Sequence, residues 1–391
     1  MLLTLILIGL YLSHSSKSSS FFPSSLMASR FLSHPEPNQV LFEESSCVRK
    51  VILNRPHKLN SLTCEMISRI LRNLEVYEKD PMVKLLILKG QGKAFCAGGD
   101  VVGMVLSINE GHWSFGASFY KKQLTLDYLL ATSTKPLVFA MPEGQIGLFP
   151  DVGASYFLSR LPGYFGEYLG LTGARLDGKE MLACGLATHF VLSKDLLLLE
   201  NALSEVASSD ASAISRVISG FSSKISLKKE SAYRRLETIN KCFSRRTVEE
   251  ILSMLENEAA NGDNKWIIQA ISSMKSASPT SLKIFLKLIR EGRTKELKDC
   301  LIQDYTIACH MFRRTFNPDF IEGSRAKLFE KGKQPKWEPS KLELVRDDFV
   351  NQFLKKLMML IGNICNFLLD QTLPKHGNQN SSWIVKDGKG V

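Results

Sequence analysis

Residues 83–100 read Val83-Lys-Leu-Leu-Ile-Leu-Lys-Gly-Gln-Gly-Lys-Ala-Phe-Cys-Ala-Gly-Gly-Asp100, and this stretch decides the fold class. Val83 to Leu88 is a short, mostly apolar run between turn signals, as expected of a strand buried on both faces. Such a strand needs helices above and below it. Upstream, Val40 to Leu53 holds two β runs separated by Glu43–Cys47, a hairpin pattern closed by Arg55-Pro56. Thr63 then stands as a helix N-cap, with Leu62 and Ile67 at the hydrophobic-staple spacing. Leu62, Met66, Ile70 and Leu74 recur every four residues on one helix face, and Asp80-Pro81 stops it. Strand, strand, helix, strand predicts an α/β layered core.

Downstream, a helical stretch runs from Ser114 to Ala131 and Leu137 to Met141 is a further β run. Pro142 to Gly153 gathers two prolines and three glycines around Glu143 and Asp151. Asp177–Glu180 and Thr247–Glu250 have the capping-box spacing, and from Asp195 to Arg314 the pattern is almost purely helical. The chain has 391 residues, 44% hydrophobic and 23% charged, which excludes wholesale disorder and low-complexity classes. The net charge of +11 asks for an anionic partner. Residues 221–300 hold sixteen Lys/Arg against ten Asp/Glu with no nucleic-acid motif, so either a solvated surface or phosphate attraction fits. The eight cysteines show no metal-ligand spacing and read as reduced thiols; no metal is expected. Leu2 to Leu12 falls short of the ~20 residues of a membrane span. With the Ser-rich stretch after it, it reads as an organelle leader, a secretory signal or an untranslated leader.

Two stretches could carry chemistry. Glycines in Lys93–Asp100 let backbone N–H groups converge on one point, which either makes an oxyanion hole or is a plain βα turn. Glu143 and Asp151 stand in an otherwise apolar, Gly- and Pro-rich stretch. Desolvation there would raise a carboxyl pKa into the range of general acid–base work. The alternative is a loop Glu and a helix N-cap Asp. Cys184 and His189 form a weaker pair, since no Gly-x-Ser-x-Gly elbow exists.

These residues resemble a known family. Leu53-Asn-Arg-Pro56 with Leu59-Asn-Ser-Leu62, Ala94-Phe-Cys-Ala-Gly-Gly-Asp100, Phe139-Ala-Met-Pro-Glu143, Gly147-Leu-Phe-Pro-Asp-Val-Gly153 and Gly185-Leu-Ala-Thr-His189 occur in the order seen in the crotonase (enoyl-CoA hydratase/isomerase) superfamily. Within it the chain looks most like the plant-type 3-hydroxyisobutyryl-CoA hydrolases, over roughly residues 40–339. The resemblance implies a crotonase-like spiral of ββα units with a helical C-terminal region. It also implies hydrolysis of an acyl-CoA, usually a 3-hydroxyacyl thioester of valine breakdown. Glu143 would attack or activate water, and Asp151 would touch the substrate hydroxyl or assist proton transfer. Ala97, Gly98 and Gly99 would supply one half of an oxyanion hole. Arg55 and Lys58 would meet CoA phosphates. Coenzyme A enters as part of the substrate and no separate cofactor is implied. The partners expected are the acyl-CoA and, as an option, a second copy in a homo-oligomer, with no nucleic acid and no membrane span. The implied compartment is mitochondrial or peroxisomal.

The chain departs from the family pattern in four places. The strand and Gly-Gly-Gly-type loop that relatives carry before Leu137 are absent, so one core unit and its oxyanion donor are missing. Gln123 stands where many relatives have a substrate-touching Glu, and Gly144 replaces a Thr. Residues after about Val345 do not follow the family. The expected organisation is a leader over 1–37, an incomplete α/β core over 38–192, a helical part over 193–340 and a divergent tail over 341–391. A degenerate fold that binds CoA or partner subunits without catalysis is the rival expectation.

Overall fold

The computed structural model describes residues 38–92, 94–133, 137–139, 149–206, 210–260, 265–330, 332–355 and 382–386, with 137–139 and 382–386 given as backbone strands. Glu143, Gly144, the apolar stretch 357–369 and the leader over 1–37 lie outside them.

The hairpin forms as the sequence predicts. Strand β1 (Val40–Ser45) pairs antiparallel with β2 (Val48–Leu53), Val40 opposite Leu53 and Ser45 opposite Val48. Strand β3 (Leu85–Gly90) lies parallel to β2, two residues later than predicted because Val83 N–H closes a turn on Asp80 O at 3.2 Å. Strand β4 (Leu137–Phe139) is parallel to β3, with Leu86 opposite Leu137. Strand β5 (His189–Val191) does not pair with β4. Between them lies β6 (Ser382–Lys386), parallel to both, and the sheet order is β1-β2-β3-β4-β6-β5.

Helices cover both faces. Helix α1 (Cys64–Lys79) starts where predicted, Thr63 Oγ1 accepting the Met66 N–H at 3.2 Å. Its buried Met66, Ile67, Ile70 and Leu74 join Val51, Leu53, Leu86 and Leu88 of the sheet in the main core. Helix α2 (Val101–Glu110) was not expected; Asp100 caps it by accepting the Gly103 N–H at 3.1 Å. Helix α3 (Ser114–Thr132) matches the predicted stretch. The four-residue α4 (Ala154–Phe157) follows the Asp151 turn. On the opposite face, α5 (Leu196–Ser204) and α6 (Ala211–Phe221) pack Leu199, Leu203, Ile214 and Ile218 onto Val48, Leu85 and Ile87. There Glu200 pairs with Lys50 at 2.6 Å and Lys89 at 2.8 Å, bridging the two lysines that share that sheet face.

The helical part has no separate core. Helices α7 (Pro279–Gly292) and α8 (Leu297–Phe312) contribute Phe285, Ile289, Ile307 and Phe312 to the same cluster as α1 and α3. Ser278 caps α7, with Pro279 in its first turn. Both capping boxes form: Asp177 with Glu180, and Thr247 with Glu250. Residues beyond 340 belong to the packed body as well, since Val345, Val350 and Phe353 are core residues and β6 is a central strand. No helix among the described residues is long and apolar enough to cross a membrane. Much of the 221–300 charge is spent on surface ion pairs, Lys241–Glu258, Lys275–Glu256 and Lys283–Glu249 among them, which favours the solvated-surface reading.

Ile384 of β6 stands opposite His189 of β5, inside the sheet. Proline there lacks the N–H that a central strand must donate. Ile384→Pro should lower the unfolding free energy by about 1–3 kcal/mol, read as a fall in the urea midpoint. An unchanged midpoint would show that β6 is not part of the sheet.

Candidate active site

The glycine loop after β3 is stitched to the turn after β2. Asn60 Nδ2 donates to Gln91 O at 2.9 Å and Ala94 O at 2.8 Å, while its Oδ1 accepts the Arg55 N–H at 2.7 Å. Leu62 and Gly99 form a parallel bridge: Leu62 N–H donates to Gly98 O at 2.7 Å and Asp100 N–H to Leu62 O at 2.8 Å. Gly98 has φ 85°, which turns the chain at that point. A Cβ on Gly99 would stand 2.8 Å from Gln123 Oε1 and 3.0 Å from the Phe119 ring, so only glycine lets α3 lie this close. Among the described residues, no acceptor takes the main-chain N–H of Ala97, Gly98 or Gly99. These donors are therefore available to a substrate oxygen.

The two basic residues expected at the CoA phosphates part ways. Arg55 is buried and faces inward, its Nη1 at 2.9 Å from Asp100 Oδ2 and donating to Ser61 Oγ at 3.0 Å. It braces the glycine loop and the α2 cap, and its charge is spent on Asp100, so the phosphate role does not suit it. Lys58, on the neighbouring 3-10 turn, is exposed.

Asp151 is a buried side chain, 1% exposed, and not the helix cap of the bland reading; Gly153 holds the cap position of α4. Asp151 Oδ2 accepts the Tyr120 O–H at 2.5 Å, and its Oδ1 has no partner. Burial pushes the carboxyl up to about 7, against the Tyr120 hydrogen bond, which favours the ionised form. Two further buried carboxyls share this region. Asp304 of α8 accepts the Gly153 N–H at 2.8 Å through Oδ2, and Asp127 of α3 has neither oxygen bonded. Burial raises both well above the ordinary range, with Asp151 adding to each. No such group among the described residues could hold a metal ion.

Helix α3 brings these features together. Gln123, 4% exposed, touches Gly99, and Tyr120, one turn earlier, touches Asp151. The glycine loop and the titrating carboxyl thus flank neighbouring turns of one helix, ~4.5 Å apart along its axis. Tyr120, Asp127 and Asp304 escaped the sequence reading. A buried stripe at Tyr120, Gln123 and Asp127, spaced three and four residues apart, is the signal that could have found the first two. Asp304 left none.

The thiol rivals fall away. Burial pushes Cys96 up to about 12 and Cys184 up to about 11. Cys184 Sγ lies 3.5 Å from Met181 O, and the His189 ring meets Thr188 Oγ1 at 2.9 Å. The seven described cysteines are all free.

Asp151 holds its proton to about pH 7 in the fold, against an ordinary value of 3.8. The folded chain is the more protonated state between those values, so stability falls as pH rises through that window. Asp151→Asn removes the penalty. At about pH 8 the variant should be more stable than the wild type, by on the order of a few kcal/mol, and the gap should close near pH 4. Thermal unfolding at both pH values reads this; a gap independent of pH would show that the fold does not hold the carboxyl in its acid form.

The sequence model of the enoyl-CoA hydratase/isomerase family matches residues 48–138 and again 137–354. The two matches meet at β4, where the sequence places the absent block. The chain is 49% identical over 348 residues to "3-hydroxyisobutyryl-CoA hydrolase 1" of Arabidopsis thaliana, covering 82% of this chain and 92% of the relative. It is 36% identical over 362 residues to "3-hydroxyisobutyryl-CoA hydrolase, mitochondrial" of Rattus norvegicus, covering 84% and 91%. Among solved structures it is similar to a carnitinyl-CoA dehydratase from Mycobacterium thermoresistibile, with TM-score 0.73 and 25% identity over 82% of this chain and 97% of that one. With the glycine loop, the Asp151 turn and the sheet in place, the chain belongs to the enoyl-CoA hydratase/isomerase family and, within it, to the 3-hydroxyisobutyryl-CoA hydrolase group.

Proposed function

We propose that this chain hydrolyses 3-hydroxyisobutyryl-CoA, or a related short acyl-CoA thioester, to the free acid and CoA. The observation that carries the reading is the placement, on one face of α3, of free backbone donors beside a buried carboxyl that titrates near 7. A thioester carbonyl gains negative charge when an oxygen nucleophile adds to it. The Ala97, Gly98 and Gly99 N–H groups suit that oxygen. In this reading Glu143 activates the attacking water, or attacks itself and water then opens the resulting anhydride; in either case a C–O bond replaces the C–S bond, and the thiolate of CoA leaves and takes up a proton. Asp151 holds the substrate hydroxyl or relays that proton, which its position near neutrality favours. Lys58 is the surface cation for a CoA phosphate. The mitochondrion is the compartment that the rat relative's name supports; the peroxisomal alternative is not carried further.

The test is release of free thiol from 3-hydroxyisobutyryl-CoA by the purified chain. Wild type should turn over, and Glu143→Ala should lose ~10²–10⁴-fold in kcat. Release no faster than in the Glu143→Ala control rejects the hydrolase reading, and tight CoA binding without release would mark a binding protein instead. Gly99→Ala, which forces Gln123 and Phe119 aside, should cost ~10–10²-fold in kcat with the fold intact. Wild-type kcat in that variant would detach the loop from the chemistry.

A further inference from the structure

The Asp151–Gly153 turn has a backbone that its own residues do not favour. Val152 has φ 48° and Gly153 has φ 84°, both left-handed. Glycine adopts that region freely. A β-branched valine does so only where its surroundings over-determine it. Val152 is buried, and hydrogen bonds hold the turn around it. Ala154 N–H closes on Asp151 O at 2.9 Å, Tyr120 O–H reaches Asp151 Oδ2 at 2.5 Å, and Gly153 N–H donates to Asp304 Oδ2 at 2.8 Å. The first is local, and the second arrives from α3. The third crosses 151 residues from α8, the helical end of the chain.

Asp304 is 0% exposed and its Oδ1 has no hydrogen-bond partner. An apolar side chain of the same size would fill the space without that desolvation cost. What an apolar replacement would lack is an acceptor for Gly153. We propose that Asp304 is a positioning residue, which accepts the Gly153 N–H and thereby fixes the left-handed turn that aims the Asp151 carboxyl at substrate. The inference rests on the hydrolase reading above, in which Asp151 serves the chemistry. Burial raises the Asp304 acid well above its ordinary range, against the Gly153 hydrogen bond, and Asp151 adds to the rise; either form of the carboxyl keeps an oxygen that accepts the Gly153 N–H. Asparagine offers the same shape and a carbonyl oxygen at the same place. Leucine keeps the branched shape with the same number of heavy atoms, is bulkier, and removes the acceptor, leaving a buried N–H unpaired.

The experiment compares Asp304→Asn and Asp304→Leu in the full chain, by steady-state kinetics on 3-hydroxyisobutyryl-CoA and by amide exchange at Gly153. The Asn variant should keep kcat within about 3-fold of wild type. The Leu variant should lose about 10²-fold in kcat, the size expected of a catalytic group misplaced by ~1 Å, with KM within about 3-fold. Exchange at Gly153 should quicken at least about 10-fold in the Leu variant alone. Wild-type kcat in the Leu variant overturns the proposal, and so does a loss of more than about 10-fold in a folded Asn variant, which settles the matter even where the Leu variant does not fold. An inactive wild type rejects the hydrolase reading instead. The exchange arm then decides alone: a Gly153 amide exchanging at the open-chain rate in wild type overturns the positioning role.

Discussion

A parallel sheet buried on both faces cannot carry an open seam through its middle. Every N–H and C=O along such a seam would be dry and unpaired, at a cost of about 1–3 kcal/mol each. Here β4 and β5 do not touch, and β6 is what pairs with both. Neighbouring strands lie ~4.8 Å apart, so the slot between β4 and β5 is one strand wide. It is filled by residues 382–386, nearly two hundred positions beyond β5. The family match breaks at the one place, 137–138, where β4 begins. The break in the family match and the strand supplied from residues 382–386 fall side by side in the sheet, at β4. The order of the remaining strands then follows, as do the faces on which α1, α5 and α6 lie.

Within that frame the costly feature is acid. Asp127, Asp151 and Asp304 are buried together with no ion pair to a cation among the described residues, and an ionised carboxylate in such a place costs several kcal/mol. The cheaper state keeps the proton on. The three differ in the hydrogen-bond donor each one meets. Tyr120 donates to Asp151 and so favours its ionised form, which holds its titration near 7. Asp304 receives a single backbone N–H and Asp127 receives no hydrogen bond, and burial raises both well above the ordinary range. Like groups pushed to different values by their surroundings take different roles. Asp151, titrating near 7, can change charge at neutral pH.

Local features were legible in the sequence and distant ones were not. Thr63, Asp177–Glu180 and Thr247–Glu250 cap helices through contacts within three residues, which a sequence displays directly. The apolar company of Asp151 foretold its burial. Helix α2 was hidden because Asp100 read as the last residue of a glycine loop, although it also caps the next helix. The resemblance implied a phosphate role for Arg55, and no local pattern showed its ion pair, since its partner Asp100 lies 45 positions away. The β6 stretch carried no reading of its own, since its place is set by a gap elsewhere. Asp304 sits on a helix whose inward face is set by Tyr305, Ile307, Ala308 and Phe312, and nothing near it in sequence marks a turn at Gly153.

The distances along the chain carry a consequence for the site itself. The exits of β3 and β4 lie side by side at the carboxyl edge of parallel strands, the edge at which open α/β sheets bind ligands. From β3 the chain enters the glycine loop; β4 ends at Phe139, four positions before Glu143 in sequence. The Asp151 turn is then locked from α3 by Tyr120 and from α8 by Asp304. Each chemical group is therefore fixed by an element remote from it in sequence: the loop by Asn60, the turn by α8, and β4 by a strand from residues 382–386. No early segment of this chain can assemble the site alone, because the contacts that define it are completed only once the helical part and the last strand are in place. Folding and site formation are in that sense one cooperative event.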